Sequence, residues 1–147
     1  MIINAESHPF DGVDLRAEPQ KYQIGRGEYG VFHAQPYKSE LMPLWRFRTP
    51  DVARESAAAL YAKFAEYRAA GDFVGMDVAR KYIQMGWTRA RRYANHRGGR
   101  KYDDGGNELP RSVDAEKAAS AAIFAEYLAR VKADAVYLAA KQQFQNQ

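Results

Sequence analysis

The sequence predicts an α+β fold, in which a small antiparallel sheet or hairpin at about residues 21–48 packs on three to four helices. Residues 21–48 are rich in aromatic residues, with Ile24 and Val31 as further strand formers, and glycine and proline occur among them at short intervals, as in short strands. From Thr49 onward the apolar residues recur at helical spacing instead. A chain of 147 residues is a natural size for one domain, which we expect to span residues 1–147.

Helix-capping residues, helical spacing and glycine stops predict the remaining elements. Thr49 followed by Pro50 is typical of a helix start, and Gly71 and Gly86 are read as helix stops. The predicted helices cover about 49–70, 73–85, 88–95 and, as one long C-terminal helix, 112–146. An irregular segment, 1–20, precedes the sheet, and a glycine-rich loop, 96–111, precedes the final helix.

Composition excludes several classes of protein. The chain has no cysteine, so it has neither a disulfide framework nor a thiolate metal site. It has no run of about 18 apolar residues and no basic, apolar leader at its start. We therefore expect a cytoplasmic protein with no membrane partner. The three histidines, His8, His33 and His96, are dispersed without metal-ligand spacing, so we predict no metal and no cofactor.

The positive charge is concentrated in residues 80–101. This segment holds eight basic and no acidic residues, and the other 14 basic and 18 acidic residues give the rest of the chain a net charge of −4. Such asymmetry is typical of proteins that bind anions, so we expect DNA or another polyanion as the partner, with a nucleotide as the alternative. The candidate phosphate-binding residues are Arg89, Arg91, Arg92, His96, Arg97, Arg100 and Lys101, with Arg26 and Lys38 extending the patch. Trp87 and Tyr93 are candidates for stacking on bases or for supporting the arginines.

Two other interpretations of the basic segment stay open. Its arginines could form a solvated helical face, and they could also pair with the protein's own carboxylates. Trp87 and Tyr93 could in the same way belong to the core. Eight cations without one acid favour an anionic partner, because solvated helical faces normally mix both signs of charge.

Residues Gly25–Gly30 match the pattern G-x-G-x-x-G. A dinucleotide site would need a helix after this pattern, whereas a predicted strand follows it here. We therefore predict a hairpin whose glycines adopt positive φ angles. A second interpretation is a turn that packs beside the basic segment and completes one pocket, with Arg26 and Glu28 as site residues.

Three function classes follow from these patterns. The leading one is a nucleic-acid-binding protein that uses residues 80–101. The alternative is a protein or enzyme for a small phosphorylated ligand or nucleotide, with a pocket formed by Gly25–Gly30 and Asn95–Lys101. His96 and Glu28 would be its acid–base candidates, although the sequence does not decide whether it is an enzyme. The third is a homodimer that associates through the C-terminal helix, whose apolar side includes Phe124, Leu128 and Val131.

Several long motifs resemble one known family. They include residues 22–31 (YQIGRGEYGV), 36–40 (PYKSE), 45–47 (WRF), 71–77 (GDFVGMD) and 84–96 (QMGWTRARRYANH). Together they resemble the domain of unknown function 4385 family, with one departure at Tyr29, where the resemblance leads us to expect Gln. Members of that family occur in bacteria, phages and microbial eukaryotes. The resemblance thus implies no settled activity, but it suits work on nucleic acid, such as DNA repair, DNA modification or phage–host interaction.

Overall fold

The structure, a computed structural model, is built from helices and turns. It describes residues 7–95, 102–107 and 114–147, and these residues include no β-strand and no sheet. The helices are α1 (Tyr37–Leu41), α2 (Pro50–Ala69), α3 (Phe73–Asn95), α4 (Ala115–Ala133) and α5 (Ala135–Gln145). Two short 3-10 turns, Pro19–Lys21 and Met42–Leu44, lie in the N-terminal third. The α+β prediction, with its sheet over residues 21–48, is therefore wrong.

The glycines of the predicted hairpin explain why no sheet forms. Gly25, Gly27 and Gly30 have φ angles of +65°, +58° and +73°, which take the backbone out of the extended region every two or three residues. The hydrogen bonds of this stretch close local turns, as when the amide of Tyr29 donates to the carbonyl of Arg26 at 3.0 Å. The predicted positive φ angles are confirmed, but they produce consecutive turns rather than a hairpin.

Helix α2 begins as predicted. The hydroxyl oxygen of Thr49 accepts a hydrogen bond from the amide of Val52 at 3.2 Å, and Pro50 is the first helical residue. The predicted stop at Gly86 is wrong, because α3 continues through it to Asn95. A Cβ atom at Gly86 would lie only 2.4 Å from the ring of Phe124 in α4. Gly86 therefore serves close packing between α3 and α4 rather than termination.

The predicted C-terminal helix is two helices, because the chain turns at Asp134. The ψ angle of Asp134 is 119°, which ends α4, and its carboxylate accepts from the amide of Tyr137 at 2.9 Å to cap α5. The residues proposed for self-association are buried inside the protomer: Phe124, Leu128 and Val131. They do not form an exposed dimer face, and the homodimer itself stays a prediction.

Helix α3 is the central element. Its residues from Phe73 to Ile83 are all buried, and it packs against both α2 and α4. Its C-terminal end, beyond Met85, emerges at the surface. Within the residues that the structure describes, no helix combines the length and the apolar character needed to cross a bilayer.

Candidate phosphate-binding cleft

Three consecutive residues of α3 hold the glycine-rich turn by its backbone. Their side chains donate hydrogen bonds to carbonyls at alternate positions of the turn. Arg80, Lys81 and Tyr82 donate to the carbonyls of Gly27, Tyr29 and Val31, at 2.7, 2.7 and 3.0 Å respectively. Because these donors are fixed on a buried helix, the turn is held against α3 in one orientation.

Arg80 and Lys81 are therefore internal, although the sequence counts both in the basic segment 80–101 for which it predicts an anionic partner. Lys81 is fully buried and Arg80 is 7% exposed, and the carboxylate of Asp77 lies 2.9 Å from the Arg80 guanidinium. Burial lowers the pKa of Lys81 to about 8 because it disfavours the charged form. Two of the eight cations in the segment thus bind the protein's own backbone and do not face solvent.

A cleft of about 750 Å³ lies between the turn and the C-terminal end of α3. We call it the arginine cleft. One wall is His8 with residues 28–33, and the opposite wall is Met85, Thr88, Arg89, Arg91, Arg92 and Asn95. The hydroxyl of Thr88 donates to the Glu28 carboxylate at 2.7 Å, which joins the two walls at one point.

The arginines of the cleft are the exposed cations of α3. Arg89, Arg91 and Arg92 all line it, although ideal helical angles place Arg91 well away from the face shared by the other two. None of the three forms an ion pair within residues 7–95, 102–107 and 114–147. The guanidinium of Arg91 lies 4.4 Å from the centre of the Trp87 ring, a cation–π contact that supports the side chain.

Two histidines meet at the other wall. The rings of His8 and His33 stack with centroids 4.5 Å apart and planes 8° apart. His33 Nδ1 lies 3.0 Å from the Asp11 carboxylate, and His8 Nδ1 accepts from the amide of Phe10 at 3.0 Å. Burial lowers the pKa of His8, and the neighbouring His33 lowers it further, which favours neutral His8. Sequence reasoning missed this pair because 25 residues separate its members.

The remaining predicted site residues are dispersed or lie outside the described residues. Arg26 is exposed on the turn but does not line the arginine cleft, and Lys38 lines a separate cavity beside residues 10–14. Tyr93 lines a further cavity, next to Phe47. His96, Arg97, Arg100 and Lys101 fall outside the described residues. Across the described ranges, no group of three or more metal-ligating side chains is arranged to hold an ion.

Comparison with protein-family models identifies a family that covers nearly the whole chain. The family model described as domain of unknown function (DUF4385) matches residues 5–147. The chain belongs to the DUF4385 family. Searches of curated proteins and of solved structures found no match. In this DUF4385 chain, two motifs that carry the resemblance, residues 22–31 and 84–96, supply residues to opposite walls of the arginine cleft.

Proposed function

We propose that this protein binds nucleic acid, with phosphate groups held in the arginine cleft. The observation that carries the proposal is the convergence of Arg89, Arg91 and Arg92 on one concave site. Guanidinium groups bind phosphate through two parallel hydrogen bonds, and they keep that capacity only where no carboxylate neutralises them. In the described parts of the chain none of the three forms an ion pair with a carboxylate, although the Glu28 carboxylate lines the same cleft.

The fixed turn supports the same proposal. Arg80, Lys81 and Tyr82 immobilise the wall opposite the arginines, so the cleft exists before any ligand arrives. A preformed site does not have to be ordered on binding, which favours affinity. Thr88 and Asn95 add polar side chains on the arginine wall.

The test is fluorescence anisotropy with labelled single-stranded and duplex oligonucleotides, from about 50 to about 200 mM salt. The variant is Arg89→Glu combined with Arg92→Glu. We expect it to weaken binding by about tenfold or more, because charge-assisted hydrogen bonds to phosphate are lost. The log–log salt slope for single strands should become shallower by about 1.4, since each lost phosphate contact contributes about 0.7.

The matched control is Arg54→Glu combined with Arg130→Glu. It makes the same change in net charge at two exposed arginines of α2 and α4 that do not line the cleft. Each of these arginines pairs with an acid on its own helix, Asp51 and Glu126 respectively. Equal weakening by both double variants, or no binding by the unaltered protein at low salt, would contradict the proposal.

A second candidate function is the binding of a small phosphorylated ligand. The concave shape of the cleft and its volume of about 750 Å³ favour it, because pockets of this size are typical of small-molecule sites. The stacked His8 and His33 would then lie beside the ligand. A rise in unfolding temperature with nucleotides, together with no binding of oligonucleotides, would select this function over the first.

A further inference from the structure

A second cavity lies on an adjoining side of the exposed end of α3. It has a volume of about 640 Å³ and shares no residue with the arginine cleft. We call it the Tyr93 cavity. It is lined by Arg46, Phe47, Arg48, Val52, Tyr93 and Lys117. Only Tyr93 among these residues was singled out by the sequence as a site candidate.

Aromatic rings provide the apolar part of the Tyr93 cavity. The rings of Phe47 and Tyr93 contact each other with centroids 5.9 Å apart and planes 35° apart. Both side chains are partly exposed and line the cavity. Such rings are the platforms on which unpaired bases stack in proteins that bind single strands.

Cations provide the polar part. Arg46 and Arg48 are exposed, and no carboxylate pairs with either of them or with Lys117 in the described portions of the chain. The ammonium group of Lys117 donates to the backbone carbonyl of Arg48, which fixes α4 against this segment. Aromatic faces bordered by unneutralised cations match a nucleotide, which presents a flat base and an anionic phosphate.

The helix places the two sites within reach of one strand. Arg92 lines the arginine cleft and Tyr93 lines the second cavity, and successive helical residues point about 100° apart. A helix with its side chains is about 10–12 Å wide. The phosphates of one strand lie about 3.4 Å apart along a duplex, so three to four stacked nucleotides span that width and an extended single strand needs fewer.

We propose that the Tyr93 cavity is a base-stacking subsite for single-stranded nucleic acid whose neighbouring phosphates occupy the arginine cleft. This inference rests on the proposed function and makes it more specific. Duplexes are excluded from the subsite because their bases are already stacked on one another. The experiment uses both DNA and RNA oligonucleotides and thereby decides between deoxyribose and ribose in the bound strand.

The experiment compares oligonucleotides of about 12 nucleotides with thymidine 5′-monophosphate as probes. Two variants alter the Tyr93 cavity: Tyr93→Leu, and Arg46→Glu combined with Arg48→Glu. We expect each to weaken oligonucleotide binding by about tenfold and to change mononucleotide binding much less, because the three arginines of the cleft hold a lone phosphate more strongly than the Tyr93 cavity does. Circular dichroism and the unfolding temperature check that each variant folds, and the Arg54 and Arg130 double variant again controls for charge.

The outcomes separate the two proposals. If oligonucleotide binding depends on Arg89 and Arg92 but not on Tyr93, Arg46 or Arg48, the subsite is wrong and the proposed function stands. If the unaltered protein binds neither probe at low salt, the proposed function fails and the subsite fails with it. Equal affinity for duplexes and single strands would also overturn the subsite, whereas a preference for single strands that Tyr93→Leu abolishes would support it.

Discussion

The phenol of Tyr137 on α5 donates a hydrogen bond to the carboxylate of Asp77 on α3, with 2.5 Å between the oxygens. Asp77 is fully buried, and it also accepts from the phenol of Tyr22 and from the guanidinium of Arg80 at 2.9 Å. One carboxylate thus joins the N-terminal segment, α3 and α5. Because the same Arg80 also binds the glycine-rich turn, this network determines where one wall of the arginine cleft lies.

Replacing Asp77 with Asn should destabilise the protein strongly. The amide keeps the shape of the side chain but leaves the buried charges of Arg80 and Lys81 without a counter-ion. Breaking a buried charge pair by removing one partner costs about 3–5 kcal/mol. Urea denaturation measures the loss in the free energy of unfolding.

The control for this prediction is Asp51→Asn. The Asp51 side chain is 96% exposed, and its pairing with Arg54 at 3.4 Å takes place in water. Its loss should change the free energy of unfolding by less than about 0.5 kcal/mol. Similar losses in the two variants would show that Asp77 does not compensate buried charge.

The buried Lys81 should make stability rise with pH. Its pKa is about 8 in the folded state, against an ordinary value of 10.5. Below pH 8 the lysine is protonated in both states, and the folded state bears the cost of burying the charge. Between 8 and 10.5 the unfolded chain binds more protons than the folded one, so the free energy of unfolding increases with pH.

This effect is isolated by comparison with Lys81→Met. Tyr22 and Tyr137 face the same network, and burial raises the pKa of both, so their titration lowers stability above about pH 10 in either protein. Between about pH 8 and 10, the free energy of unfolding of the wild type should rise relative to that of Lys81→Met, by up to about 1.4 kcal/mol per pH unit. Lys132→Met, at an exposed lysine, is the control. If the difference in the free energy of unfolding between wild type and Lys81→Met did not change with pH, the lowered pKa of Lys81 would be contradicted.

Local signals explain what the sequence predicted correctly about the fold. The start of α2 depends on Thr49, Pro50 and the residues just after them, and that start is confirmed. Residues 21–48 have the composition of strands, but their aromatic side chains instead anchor turns to α3, as Tyr22 does through Asp77. Residues with high strand propensity are those that suit a half-buried surface. Their presence does not reveal which distant part of the chain will cover that surface.

For the candidate site, too, the sequence predicted what depends on composition and missed what depends on tertiary packing. The run of cations without acids predicted a basic segment, and three of its arginines are exposed near the end of α3. It could not show that Arg80 and Lys81 turn inward, since the backbone carbonyls that accept their hydrogen bonds are about 50 residues away in the chain. The pairing of His8 with His33 and the contact of Phe47 with Tyr93 likewise depend on tertiary packing and leave no spacing signal.

Replacing Gly86 with Ala should destabilise the protein, although this substitution within a helix usually stabilises. In the interior of a helix, Gly→Ala normally stabilises by about 1 kcal/mol through helix propensity. At Gly86 the new methyl group would meet the Phe124 ring at 2.4 Å, so we expect Gly86→Ala to destabilise by about 1–3 kcal/mol instead. The double variant with Phe124→Leu should recover part of this loss in thermal denaturation. A stabilising Gly86→Ala would show that α3 and α4 are not closely packed at this point.

Glu28 provides the last prediction, which concerns binding. Its carboxylate lines the arginine cleft, where it opposes an anionic ligand, and accepts a hydrogen bond from Thr88. Glu28→Gln retains an acceptor for Thr88 and removes the negative charge. We therefore expect oligonucleotide affinity at low salt to increase by up to about fivefold, the equivalent of about 1 kcal/mol for two charges near 4 Å in water.

Glu126→Gln, which removes an exposed charge on α4 away from the cleft, should leave affinity unchanged. Weaker binding by Glu28→Gln would mean that the carboxylate contacts the ligand as an acceptor, and the cleft would then not be a simple anion site.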